Sequence, residues 1–107
     1  MTKDLCTKRG KSIDWYVNTC HSIATDHGWW DTSREIPELL CLVHSEISEA
    51  LEAYRTFSDE NFVEELADVL IRIFDMSGHL GIDLEGALLA KIEVNSHRPY
   101  RHGNKRV

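Results

Sequence analysis

The chain has no apolar run longer than a few residues, so no transmembrane helix is expected. Two prolines and six glycines among 107 residues exclude collagenous, low-complexity and disordered classes. Cysteine is scarce and odd in number. Cys6, Cys20 and Cys41 have no paired spacing, so reduced thiols in a cytoplasmic protein are expected rather than a disulfide framework. The segment Met1 to Lys11 is polar and carries no apolar core of a secretory signal. There is no glycine-rich phosphate loop and no Gly-x-Ser-x-Gly elbow. The histidines lack metal spacing, and Cys41-x-x-His44 has no second half, so zinc is not expected.

What is present is an ordinary globular composition, 42% apolar and 28% charged, sized for a single domain over 1–107. Charge is unevenly distributed. Residues 31–75 hold twelve acids against Arg34, Arg55 and Arg72, whereas Arg98, Arg101, Lys105 and Arg106 face no acid in the last eleven residues. An acidic middle disfavours nucleic acid, which wants a broad basic face. It favours a cation, and the basic tail favours an anion.

Apolar spacing follows a period near 3.6 almost throughout, which predicts an all-α protein. Ser12 can cap a first helix that stops at Gly28, with Trp29 and Trp30 in the following loop. Thr32 or Ser33 can cap a second helix that has Pro37 in its first turn and ends near Tyr54. A third helix is expected from Ser58 or Asp59 to about His79, ended by Gly78 and Gly81. Its inward set is Phe62, Val63, Leu66, Val69, Leu70, Ile73, Phe74 and Met76. Asp83 can cap a fourth, carrying Leu84, Leu88, Leu89, Ile92 and Val94, which Pro99 closes. Short loops imply antiparallel neighbours, hence a small antiparallel four-helix bundle with a helical core over about 12–97 and a basic tail at 98–107.

Four acids do not fit a solvated face. Glu46 and Glu49 are spaced i, i+3, as are Glu65 and Asp68. On a helical wheel Leu39, Leu42, Val43, Ala50 and Ala53 fall within about 60° of Glu46, and Phe62, Val69 and Met76 within about 60° of Glu65. Glu46 and Asp68 are equidistant from position 57, and so are Glu49 and Glu65. A hairpin turning there sets the two pairs level. One like-charge pair at 5 Å costs roughly 3 kcal/mol at an effective dielectric near 20, so four acids need protonation or a bound cation. Hard oxygen donors without cysteine or histidine favour Mg²⁺, with Mn²⁺ as its substitute.

Basic groups complement this cluster. Lys91, Asn95 and Arg98 share one face of the fourth helix, and Arg72 lies one turn beyond Asp68. Cations and amide donors suit a phosphate chain whose other oxygens engage a metal. Trp29 or Trp30 can stack on a base. Glu49, beside Glu52, is the candidate to accept a proton from an attacking water, with Glu46 next to it.

Glu46-Ile-Ser-Glu49, Glu65-Leu-Ala-Asp68 and the segment from Lys91 through Asn95 and Arg98-Pro-Tyr resemble the MazG-like, all-α nucleotide pyrophosphohydrolases. The resemblance implies cleavage of the α–β phosphoanhydride of (deoxy)nucleoside triphosphates to monophosphate and pyrophosphate with Mg²⁺. It implies that Glu46, Glu49, Glu65 and Asp68 hold the metal, and that Lys91, Asn95, Arg98 and Arg72 hold phosphates. It further implies that the tryptophans flank the base and that dimers or tetramers build the site, in house-cleaning or nucleotide-pool control. Two rivals stand beside it. A di-iron bundle wants Glu-x-x-His, which this sequence lacks. A non-catalytic helical interaction module would carry the acids as surface charge.

Overall fold

The computed structural model describes residues 9–100. Among them are four α-helices and no strand: α1 (Ile13–Asp26), α2 (Ile36–Arg55), α3 (Asp59–Leu80) and α4 (Leu84–Ser96). Cys6 and the tail beyond residue 100 lie outside the described residues.

The helix ends follow local chemistry. Ser12 accepts the Trp15 amide at 3.1 Å and Asp83 accepts the Gly86 amide at 3.0 Å, each satisfying a first-turn donor that the helix leaves open. α2 starts differently from expectation. Its N-cap is Glu35, which makes no side-chain cap bond, so neither Thr32 nor Ser33 serves. Arg34 secures the entry instead. Its Nε donates to the Trp29 carbonyl and its Nη1 to Glu38, both at 2.9 Å.

The turn between α2 and α3 is Thr56 to Ser58, as its symmetry required. Phe57 adopts φ +60° there, and the Ser58 amide donates to the Ala53 carbonyl at 2.9 Å. This is the six-residue closure that usually recruits glycine. Gly81, at φ +69°, closes α3 in the same way, with the Ile82 amide bonded to Ser77.

α3 is central, with α2 packed along one side and α1 along the other, while α4 meets α1. The Glu85 carboxylate receives the Asp14 amide at 3.0 Å where those helices touch. α1 runs antiparallel to α3, setting His21 beside Asp75 and Val17 beside Gly78. Gly78 is therefore not a helix stop but a contact point inside α3. A Cβ there would fall 2.7 Å from the His21 Cβ.

The buried apolar residues among those described are few: Val17, Leu39, Ala50 and Ala53. Val63, Leu66 and Leu70, expected to face inward, are 46–63% exposed, and Leu88, Leu89, Ile92 and Val94 are exposed too. An apolar stripe at helical period marks a face suited to burial, and it does not say that the chain itself buries that face.

Candidate functional site

The α2–α3 hairpin carries the acidic cluster. Glu46, Glu49 and Glu65 each place one carboxylate oxygen within 4.8 Å of the other two. Asp68 joins them, sharing a hydrogen bond with Glu65 and adding its charge to the field at Glu46. The i, i+3 spacing puts each pair on adjacent turns of one helix face, and the tight turn at 56–58 sets the two faces level.

Glu46 is buried beside Leu39, Ala50 and Ala53 on α2. Burial pushes its carboxyl up, and a hydrogen bond with Glu49 and the charges of Glu49 and Asp68 push the same way, while Arg72 opposes them. The Arg72 Nε lies 3.6 Å from a Glu46 oxygen. Desolvation raises Glu65, followed by the Glu49 charge and the bond to Asp68.

The pH dependence follows from these directions. Between the ordinary glutamate value and the raised ones, the folded chain binds more protons than the unfolded chain. Stability contributed by the site is therefore full below about pH 4.3 and is lost as pH rises through the raised values. In EDTA, the melting temperature should fall from pH 5 to pH 8, and Glu46→Gln should flatten that decline. Millimolar Mg²⁺, which binds the ionised cluster, should restore the midpoint at pH 8. A profile unaffected by both Glu46→Gln and Mg²⁺ would show the acids to be independent surface charges.

Beside the cluster lies a cavity of about 460 Å³ lined by Glu46, Asp68, Arg72, Trp29, Asp75 and Cys20, with Ile23, Ala24 and Ile71 as its apolar wall. This is in the size range of small-ligand pockets. Burial, and then the Asp75 charge, push the Cys20 thiol up, which keeps it a neutral part of the wall.

The two tryptophans part company. Trp29 lines the cavity, with the Arg34 guanidinium 3.4 Å over its ring. Trp30 turns to the protein: it stacks on His79 at 3.7 Å and donates its indole N–H to Asp75 at 2.9 Å. Of the basic residues singled out in the sequence, the structure brings Arg72 to the cluster. Lys91, Asn95 and Arg98 are carried on or just after α4, and none of them lines the cavity.

Sequence reasoning missed Asp75 and its partners. Asp75 is 8% exposed and receives His21 Nδ1 and Trp30 Nε1, each at 2.9 Å, on one oxygen. Its spacing was a usable signal: Asp68, Arg72 and Asp75 stand at i, i+4 and i+7, one stripe of α3.

No helix of the described residues is long and apolar enough to cross a membrane. No known protein family, curated protein or solved structure matches this chain.

Proposed function

We propose that this chain is a MazG-like, Mg²⁺-dependent nucleoside triphosphate pyrophosphohydrolase, acting in the cytoplasm to clear or regulate nucleotides. The observation that carries the reading is the convergence of Glu46, Glu49 and Glu65, with the charge of Asp68 added to them, beside a ligand-sized cavity that Glu46 and Asp68 line. The donor set fits the metal. It is all carboxylate oxygen, the preference of a hard cation. The three nearest carboxylate oxygens, within 4.8 Å of one another, would be drawn together by such an ion.

Glu46, Glu49, Glu65 and Asp68 would hold the ion, which supplies charge neutralisation at the phosphates and a polarised water. Glu49, the exposed member of the trio, accepts the proton of that water at a carboxylate oxygen. Arg72 exchanges its long contact with Glu46 for a phosphate oxygen of the substrate, a stronger charge-assisted bond. The base end occupies the cavity against Trp29. Attack of water at phosphorus breaks the α–β bridge, and the pyrophosphate leaves with the bridging oxygen.

Self-association belongs to the same reading. Ile47, Leu51 and Tyr54 on α2 and Val63, Leu66 and Leu70 on α3 are each 46–67% exposed. A second copy would cover them. Lys91, Asn95 and Arg98, which do not line the cavity of their own chain, would then serve the site of a neighbour. Sedimentation at micromolar concentration should give a dimer or tetramer rather than a 12.3 kDa monomer, and Leu51→Glu with Leu66→Glu should dissociate it.

The direct test is a panel of all ribo- and deoxynucleoside triphosphates with Mg²⁺, scored for monophosphate and pyrophosphate, with Glu49→Gln alongside. Release from none of them, with no Mg²⁺ effect on melting, would instead favour a non-catalytic helical interaction module.

A further inference from the structure

We infer that the cavity takes a nucleobase bearing an exocyclic amino group, which donates to Oδ2 of Asp75, and that Asp75 rejects the corresponding keto base. The inference rests on the nucleotide reading above and names the class of base within it.

Asp75 is a buried polar residue of the cavity wall, 8% exposed like Glu46. Both of its protein donors, Trp30 Nε1 and His21 Nδ1, go to Oδ1. Among the described residues Oδ2 receives no hydrogen bond, and none of their buried side-chain N or O atoms is sealed away without a partner, so Oδ2 is left accessible on a residue that lines the cavity. An ionised carboxylate offers acceptors and nothing else. Leaving such an oxygen unpaired once a ligand has expelled water is costly, and so is opposing it with a carbonyl. The group that meets it must be a donor.

The rest of the wall narrows the donor's chemistry. Ile23, Ala24, Ile71 and the Trp29 ring make an apolar enclosure suited to a flat ring. Arg72 stands in the same wall and opposes a cationic amine. Asp75 itself opposes a phosphate, which belongs at the other end. Seven residues of α3 separate Asp75 from Asp68, about 10 Å of helix, the scale of a nucleoside laid with its base edge on one and its phosphates at the other.

His21 and Trp30 act as positioning residues. They saturate Oδ1 and so fix the rotamer that turns Oδ2 outward. Replacement by asparagine keeps an oxygen for those two donors and turns an N–H₂ toward the ligand, reversing the polarity of the recognition group while conserving its volume.

The experiment is calorimetric titration of the full chain with Mg²⁺ and the uncleavable α,β-imido triphosphates of cytosine, uracil, adenine and hypoxanthine, two pairs that exchange amino for keto. The amino member of each pair should bind roughly 10- to 100-fold more tightly. Asp75→Asn, checked for folding by its melting curve, should lose or invert that preference. Equal affinity within both pairs overturns the inference on the wild-type chain alone, as does a preference that survives in folded Asp75→Asn, or no binding of any of the four at millimolar concentration. Amino-selective binding by a chain that cleaves no natural triphosphate would remove the hydrolase reading and leave this one. Cleavage without amino–keto selectivity would do the reverse.

Discussion

Glu49→Gln is expected to slow pyrophosphate release by about 10²- to 10⁴-fold, the contribution of a positioned general base. Glutamine keeps the shape and one oxygen but neither takes up a proton at neutral pH nor brings a charge to a cation. The same change removes one member of a group of like charges whose oxygens lie within 4.8 Å. The metal-free variant should therefore melt no lower than the wild type. Loss of activity with unchanged or improved stability is the signature of residues kept for chemistry at a cost to folding. A single-turnover assay at saturating Mg²⁺ and a melt in EDTA read the two halves separately. Release at the wild-type rate would remove Glu49 from the mechanism.

Gly78→Ala should have the largest effect on stability of any change that adds so few atoms. In an exposed helix, alanine would gain roughly 1 kcal/mol over glycine. Here its Cβ would lie 2.7 Å from the His21 Cβ, 3.0 Å from the His21 Cγ and 3.3 Å from the Val17 carbonyl oxygen. These atoms belong to or adjoin the α1 backbone and do not swing away, so α1 itself must shift. Overpacking of this kind costs about 1–3 kcal/mol, which outweighs the propensity gain. The difference is a net loss of up to about 2 kcal/mol, and each kcal/mol lost would lower the melting temperature by roughly 4–8 °C in a domain of this size. The displaced His21 would also loosen Asp75, so the cavity should be affected along with the fold. An equal or higher melting temperature would mean that α1 and α3 do not touch at Gly78.

Both changes concern residues whose importance was unequally visible beforehand. Glu49 stood out because an i, i+3 pair beside an apolar stripe, mirrored across a turn, is a pattern of the chain itself. Gly78 looked like a helix stop next to Gly81, because glycine in a sequence does not distinguish an open end from a close approach. Only the second of them takes φ +69°. Trp29 and Trp30 are adjacent in sequence, yet one lines the cavity and the other lies between His79 and Asp75. Nothing local separates them.

The sequence by itself determined the four helices, the turn at 56–58 and the approach of Glu46, Glu49 and Glu65 across it, because helical period and hairpin register are set by residues within a few turns of one another. Tertiary structure decided which apolar stripes are covered within the chain, that Asp75 joins the cavity wall while bonded to His21 and Trp30, and that α4 rests on α1. Those outcomes depend on contacts between residues tens of positions apart, where packing selects one partner among several faces of similar polarity.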